Sequence, residues 1–189
     1  MNMDAKPNAT GKPAEPYATF PAKETIRIER LLPGPVERVW SYLTDSGKRA
    51  KWFAAGPMEL REGGAVSLTF RNSDLSDGQP NPGGGSPDGV DHVMHGVITR
   101  CAPPHLLAFN WSIDGTGTES RFQLSQEGLD TRLVITQQRV SNRNQLLGMT
   151  AGWHVHIGIL IDLLQDKTPR SFWPEHVRLK KVYEGRIAG

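Results

Sequence analysis

LLGMTAGWHVHIGILIDLLQ, residues 146–165, is the stretch that decides the fold of this chain. Its apolar side chains recur at spacings of three and four residues, which at about 100° per residue places them on one face of a helix. A stripe this wide needs a large apolar partner, and the preceding residues read as alternating strands, so we expect a long helix packed on a sheet. The stripe consists of Leu146, Met149, Trp153, Ile157, Leu160 and Leu164.

The opposite side of this helix is less polar than the outer side of a surface helix usually is. Ala151, Val155 and Ile159 project there, and only Asp162 and Asp166 interrupt them. We therefore expect another segment of the chain, or a second subunit, to cover this side.

The C-terminal tail provides one candidate cover. Pro174, followed by mixed charges and sparse apolar residues, predicts a short helix. We expect Phe172 and Trp173 to anchor that helix over Val155 and Ile159. The alternative is that the same apolar groups form a homodimer contact.

Length and composition bound the class of protein. The chain has 189 residues, 37% hydrophobic and 22% charged, as expected for one globular domain with substantial loops. A net charge of +2 is too small to imply a nucleic-acid partner. No apolar run approaches the about 20 residues of a membrane span, and no secretory signal is recognisable. The single cysteine, Cys101, excludes an internal disulfide and favours the cytoplasm.

The residues before the long helix predict an antiparallel sheet. Apolar and polar side chains alternate in several stretches, so that one face of each strand is apolar. Two short helices are predicted after the first strand, at residues 36–43 and 48–53, and the second carries Trp52 and Phe53 inward. The predicted strands cover residues 25–31, 66–71, 90–101, 106–111, 119–126 and 131–138.

Domain boundaries follow from the distribution of proline and glycine. We expect residues 1–22 to form a disordered or loosely attached arm, because prolines break any periodicity there. Residues 23–168 form the domain, and residues 169–189 form the tail with its short helix. Within the domain, residues 72–89 form a Gly/Pro-rich loop with almost no apolar content. Such a loop is either functional or disordered, and we expect disorder.

Short motifs in this chain resemble one superfamily in their order and spacing. They are residues 35–40 (PVERVW), 43–45 (LTD), 51–53 (KWF), 62–64 (EGG), 96–98 (GVI), 103–104 (PP), 106–111 (LLAFNW), 131–136 (TRLVIT) and 152–153 (GW). With them, the chain resembles the START-related (SRPBCC) superfamily of helix-grip ligand-binding domains. Within it, the chain is similar to the branch named for homologues of the heat-shock protein ninety ATPase activator. The N-terminal arm, the Gly/Pro-rich loop and the tail depart from the usual pattern.

This resemblance implies an α+β fold of the helix-grip type, in which a curved antiparallel sheet wraps around the long C-terminal helix. A curved sheet and a straight helix cannot touch along their whole lengths, so an apolar cavity remains unless bulky side chains fill it. The alternative is that the aromatic side chains close the core completely. The candidate cavity residues are Trp52, Phe53, Leu68, Phe70, His95, Phe109, Trp111, Phe122, Leu133, Ile135, Gln137, Trp153, His156, Ile157 and Leu160.

Three functions stay open at the level of sequence. The first is non-enzymatic binding of a small hydrophobic molecule, either a lipid or an aromatic, polyketide-like compound, in that cavity. The second is a polyketide cyclase or aromatase that adds a general acid or base to the same cavity. The third, implied by the family name, is a co-chaperone that activates a heat-shock ATPase in the stress response. The sequence itself does not support that chaperone partner.

The histidines and the cysteine predict neither a metal site nor a catalytic centre. His92 and His95 are three apart on a strand and so point to opposite faces. His154 and His156 are two apart on a helix, about 200° around it, and do not converge either. Cys101 has no recognisable base around it. We therefore expect no metal, no cofactor and no catalytic residue.

Some polar residues are expected to face the interior. His156 lies beside the apolar stripe, where it either points a polar group into the cavity or bonds a backbone carbonyl, and we favour the carbonyl. Arg30, His95 and Gln137 are predicted to point inward from their strands. There they orient a ligand, act as an acid or base, or pair with a buried carboxylate.

Overall fold

Within residues 16–84, 89–112 and 116–187, which this computed structural model describes, six antiparallel strands form a sheet. The strands lie in the order first, sixth, fifth, fourth, third and second, and their ends differ from the predicted ends by no more than two residues. The helix-grip prediction is thereby confirmed. The strands are β1 (Ile26–Leu32), β2 (Ala65–Phe70), β3 (His92–Ala102), β4 (Leu106–Asn110), β5 (Glu119–Glu127) and β6 (Asp130–Gln138).

Alternation along the strands gives the sheet one buried face. In β1, Ile26, Ile28 and Leu32 are buried, and Ile28 lies opposite Ile135 of β6. Phe122 of β5 pairs with Ile135 from the other side. Burial of each such side chain contributes about 1.5–3 kcal/mol, so this face is the main source of stability.

Four helices accompany the sheet in the described residues. The second one begins after Asp45, whose carboxylate accepts a hydrogen bond from the Lys48 amide at 2.8 Å. The sequence predicts this helix over residues 48–53, whereas it ends at Ala50 and residues 51–53 form a turn. The helices are α1 (Val36–Thr44), α2 (Ser46–Ala50), α3 (Arg143–Leu164) and α4 (Phe172–Arg186).

Arg49 explains the early end of α2. Its guanidinium is 1% exposed and donates hydrogen bonds to the carbonyls of Leu43, Thr44 and Ala54 at 3.1, 3.0 and 3.1 Å. Burial lowers the pKa of this group to about 10, so it stays charged at neutral pH. The chain folds around this side chain and thereby turns Phe53 into the core.

The long predicted helix is confirmed as α3, and it is buried on both sides. Trp153 and Leu160 are buried on the side that faces the sheet. On the other side, Ala151, Val155 and Ile159 are each 0% exposed. The expectation that something covers this second side is therefore confirmed.

The cover is α4, which runs antiparallel to α3. At one end, the Arg170 guanidinium donates hydrogen bonds to the Asp162 carboxylate at 2.8 and 3.0 Å. At the other end, the Lys180 ammonium lies 3.4 Å from the Asn144 amide oxygen. The tail therefore accounts for the apolar side of α3 that suggested a homodimer, and the oligomeric state stays a prediction.

Phe172 and Trp173 attach the start of α4 to the core. The Phe172 ring packs on the His156 ring with 4.6 Å between centroids, and the Trp173 amide donates to Ser76 Oγ at 2.9 Å. Both side chains are buried in the same hydrophobic cluster as Val155 and Ile159. The sequence did not predict the contacts with His156 and Ser76, because helical spacing does not specify which neighbour a flanking aromatic residue contacts.

The end of the N-terminal arm is attached to the fold. The Ala18 amide donates to Tyr183 Oη at 2.9 Å, and Thr19 forms a β-bridge with Arg27 of β1. Of the two alternatives, attachment rather than disorder describes these residues, because backbone pairing to an edge strand holds them. Residues 1–15, on which the rest of that prediction falls, lie outside the described residues.

The Gly/Pro-rich loop is also partly ordered. Residues Asp74–Ser76 form a 3-10 turn, and Ser76 is buried beneath Trp173. The prediction of disorder is wrong for this turn. The Ser76 hydroxyl group in it accepts the hydrogen bond from the Trp173 amide at the start of α4. Residues 85–88 of the same loop lie outside the described part of the chain.

α3 is long and apolar enough to pass for a membrane span, contrary to the expectation that no such run exists. Most of its apolar length is buried inside the domain, as in the core helix of a soluble protein. This burial follows from its place between the sheet and α4.

Candidate functional site

A cavity of about 260 Å³ lies between α3, α4 and one end of the sheet. Ligand pockets commonly measure about 300–1,000 Å³, so this one suits a small molecule. Aromatic residues from the sheet, from both helices and from the turn after α2 make up most of its wall. The lining residues are Phe53, Phe70, Asn72, His92, Trp111, Gly148, Met149, Gly152, Trp153, His156, Phe172, Trp173 and His176.

Stacked rings support the wall on the sheet side. Phe53 stacks on Trp153 with 4.8 Å between ring centroids, and it meets Phe70 edge-on at 5.0 Å. Phe70 in turn stacks on Trp111 at 5.8 Å. Such pairs contribute about 0.5–1.5 kcal/mol each beyond their buried area. These contacts join the rings into one continuous packed wall on the sheet side of the cavity.

A buried hydrogen-bond network fixes the two indoles of this wall. Trp111 Nε1 donates to Ser120 Oγ at 2.6 Å, and Trp153 Nε1 donates to Gln137 Oε1 at 3.0 Å. Ser120 Oγ joins the two by donating to Gln137 Oε1 at 2.6 Å. Gln137 does point inward, as predicted. It positions two tryptophans and does not line the cavity.

Two glycines of α3 leave the space open. A Cβ atom added to Gly148 or to Gly152 would meet no atom within 4 Å. Glycine costs about 0.5–1 kcal/mol relative to alanine in a helix. The helix therefore has lower intrinsic stability along the side that borders the cavity.

His156 is the most deeply buried polar group of the wall, at 5% exposure. Its Nδ1 lies 2.6 Å from the Trp52 carbonyl oxygen, and because a carbonyl only accepts, Nδ1 carries the proton. Burial lowers the pKa of His156 to about 3, although this hydrogen bond opposes the shift. The ring is therefore neutral near pH 7, and its Nε2 is an acceptor without a partner among the described residues.

His176 of α4 is the second histidine of the wall. Its Nε2 lies 3.2 Å from the Gly148 carbonyl oxygen, so Nε2 carries the proton and Nδ1 is the acceptor in the neutral ring. Burial lowers the pKa of His176, and the nearby Lys180 ammonium lowers it further. The ring stacks on Phe172 with 5.4 Å between centroids, which fixes its orientation.

The rest of the polar lining is small and uncharged. Asn72 lies just after β2, and its Oδ1 is buried without a hydrogen-bond partner in the described part of the chain. His92 is exposed at the mouth, with its ring 5.9 Å from Phe70. Among the described lining residues there is no Asp, Glu, Lys or Arg. This wall suits an uncharged apolar molecule to which it can offer hydrogen-bond acceptors.

The structure brings together only part of the predicted site. His95 is exposed on the outer face of β3, because the inward positions of that strand are those in phase with Met94. The predicted residues that line the cavity are Phe53, Phe70, Trp111, Trp153 and His156. Those that are buried in the core outside its lining are Trp52, Leu68, Phe109, Phe122, Leu133, Ile135, Gln137, Ile157 and Leu160.

The aromatic residues were predicted either to line a cavity or to close the core completely. Each prediction applies to a different part of the molecule. Away from the cavity, Phe122 stacks on Phe109 at 5.7 Å and meets Trp153 edge-on at 5.4 Å, which closes the core. Arg30 also lies in the buried face, where its Nη1 donates to the Glu29 carbonyl at 2.8 Å, and it does not line the cavity.

Sequence reasoning missed the wall that α4 and the glycines provide. One signal was present: Gly148 and Gly152 are one helical turn apart, next to the candidate cavity residue Trp153. Phe172 and Trp173 were recognised as anchors of α4 but not as lining residues of the cavity. The lining residues missed are Asn72, His92, Gly148, Met149, Gly152, Phe172, Trp173 and His176.

Solved structures show the same fold. The protein encoded by gene BPP1335 from Bordetella parapertussis is 33% identical, with a TM-score of 0.72 over 89% of this chain and 88% of that one. CalU16 from Micromonospora echinospora is 23% identical, with a TM-score of 0.62 over 87% and 89%. A conserved protein of unknown function from Enterococcus faecalis, EF2215, is 20% identical, with a TM-score of 0.64 over 90% of each chain. The last two likenesses concern the fold alone.

A family model agrees with these structures. The model described as "Activator of Hsp90 ATPase homolog 1-like protein" matches residues 33–165, which include β2 to β6, α1, α2 and α3. The search of curated proteins returns no match. The chain therefore belongs to the Activator of Hsp90 ATPase homolog 1-like family, within the SRPBCC/START-like superfamily, and has the ligand-binding fold of that superfamily.

Proposed function

We propose that this protein binds a small hydrophobic molecule in the cavity between α3, α4 and the sheet without transforming it. The observation that carries this proposal is the aromatic cavity itself, which Gly148 and Gly152 leave open. Alanine at either position would stabilise the helix and improve packing. The two glycines therefore keep the cavity open at the expense of stability, which is expected if the cavity is used. The ligand-binding fold of the superfamily supports the same proposal.

The chemistry of the wall favours binding over catalysis. A general acid or base works best when its pKa lies near the operating pH. Burial instead brings the pKa of His156 to about 3 and also lowers that of His176. The His156 ring is thus suited to accept a hydrogen bond rather than to shuttle protons. No observation favours the cyclase alternative, and the co-chaperone alternative rests on the family description alone.

Native mass spectrometry of freshly purified protein tests the proposal. We expect a fraction of the protein to carry a non-covalently bound molecule that is released on unfolding. Fluorescence titration with small aromatic compounds provides a second measurement, because Trp111, Trp153 and Trp173 all border the cavity. Failure to retain any molecule, together with no saturable change in tryptophan fluorescence, would refute the proposal.

A cavity-filling variant makes the test specific. Gly152→Leu places a side chain in the open space and should abolish saturable binding while the protein stays folded. Gly185→Ala is the matched control, since Gly185 is an exposed helical glycine of α4 that does not line the cavity. It should bind as the wild type does. Equal binding by wild type and Gly152→Leu would show that the molecule binds elsewhere.

A further inference from the structure

If the cavity binds a ligand, as proposed above, then the donors and acceptors of the cavity wall restrict the chemical class of that ligand. The lining residues described by the structure include no formally charged side chain. An ion in such a cavity would lose its hydration without gaining a counter-charge, which is strongly unfavourable. A carboxylate or a phosphate is therefore a poor occupant.

The indole donors of the wall are already engaged. The indole N–H groups of Trp111 and Trp153 donate to Ser120 and Gln137 in the buried network. The Trp173 indole nitrogen lies 3.3 Å from Ser73 Oγ. None of the three remains to donate to a molecule in the cavity.

Acceptors, by contrast, remain available. His156 uses its Nδ1–H for the Trp52 carbonyl, and His176 uses its Nε2–H for the Gly148 carbonyl. The remaining nitrogen of each neutral ring can only accept. A buried acceptor left without a donor is unfavourable, and a ligand donor would remove that penalty.

We infer that the ligand is an uncharged aromatic molecule that bears hydroxyl or other N–H or O–H donors, and that His156 and His176 accept hydrogen bonds from them. Its rings lie among Phe53, Trp153 and Phe172, where offset and edge-on contacts with aromatic faces are available. The volume of about 260 Å³ limits it to a molecule of one or two fused rings.

Three probes of similar shape test the inference by calorimetric or fluorescence titration. Naphthol carries one donor, methylnaphthalene replaces the hydroxyl with a methyl group, and naphthoate carries a charge. We expect naphthol to bind about tenfold more tightly than methylnaphthalene, the ratio that one hydrogen bond of about 1.4 kcal/mol provides. Naphthoate should bind more weakly than either.

Variants assign the preference to the histidines. His156→Phe and His176→Phe keep an aromatic ring and remove an acceptor. One or both variants should therefore lose the preference for naphthol but still bind methylnaphthalene as the wild type does. His176 is half-buried, so its variant remains informative if the His156 variant does not fold. His95→Phe, on the outer face of β3, should leave all affinities unchanged.

The outcomes separate this inference from the proposed function. Saturable, equal binding of naphthol and methylnaphthalene would retain the cavity as a binding site and overturn the inference about donors. Tight binding of naphthoate would overturn the inference that the ligand is uncharged. A naphthol preference that survives in both histidine variants would overturn the role given to these residues. If no probe binds and no molecule copurifies, the proposed function itself fails.

Discussion

Replacement of His156 by asparagine should remove a large part of the acid sensitivity of this fold. Burial lowers the pKa of His156 from 6.5 to about 3 in the folded protein. Above the unfolded value both states are neutral, and the group contributes no pH dependence. As the pH falls below the unfolded-state pKa, only the unfolded state takes up the proton. The free energy of unfolding therefore falls by about 1.4 kcal/mol per pH unit. At about pH 5 the accumulated loss from this residue is about 2 kcal/mol.

The assay is urea unfolding at about pH 7.5 and about pH 5, with the change in unfolding free energy compared between proteins. Asparagine is chosen because its side-chain amide can still donate to the Trp52 carbonyl. The variant should lose about 2 kcal/mol less than the wild type over this interval. Lost ring packing affects both pH values equally and cancels in the comparison.

His95→Asn is the control, because His95 is exposed on the outer face of β3 and should leave the wild-type pH dependence intact. If wild type and His156→Asn show the same pH dependence, then His156 is not held neutral by burial. The assignment of its Nε2 as an acceptor would then fail as well.

Two further predictions concern the shape of the cavity and the turn that delivers Phe53. Gly152→Ala should raise stability by about 0.5–1 kcal/mol in thermal unfolding and weaken naphthol binding, and unchanged or lowered stability would contradict an open space at this glycine. Arg49→Met should lower the unfolding free energy by about 3 kcal/mol, because it leaves buried carbonyls without donors. Lys48→Met, at an exposed neighbouring position, is its control, and an equal loss in both variants would refute the role given to Arg49.

The cavity owes its existence to two helices rather than to one. Gly148 and Gly152 of α3 leave the space, and Phe172 and His176 of α4 close it from the other side. The His176–Gly148 hydrogen bond at 3.2 Å ties the two helices together at this wall. The tail after α3 is therefore a structural part of the proposed binding site, although the family model ends at residue 165.

The sequence by itself determined the strands, the long helix and the buried face of the sheet. These depend on local periodicity: alternation in β6 places Leu133 and Ile135 inward, and three-to-four spacing in α3 places Trp153 and Leu160 toward the sheet. Together with the order of the short motifs, this periodicity was sufficient for the helix-grip fold. The end of α2 was mispredicted because it depends on carbonyls that only the folded chain brings to Arg49.

Only the tertiary structure decided where the cavity lies and what it offers. The protonation of His156 depends on a carbonyl 104 positions earlier in the chain, and the closing wall depends on how α4 crosses α3. Such contacts join residues distant in sequence, and no periodic pattern encodes them. The stretch at residues 146–165 therefore predicted a helix that needs partners on both sides, and tertiary packing determined that the open space lies beside Gly148 and Gly152.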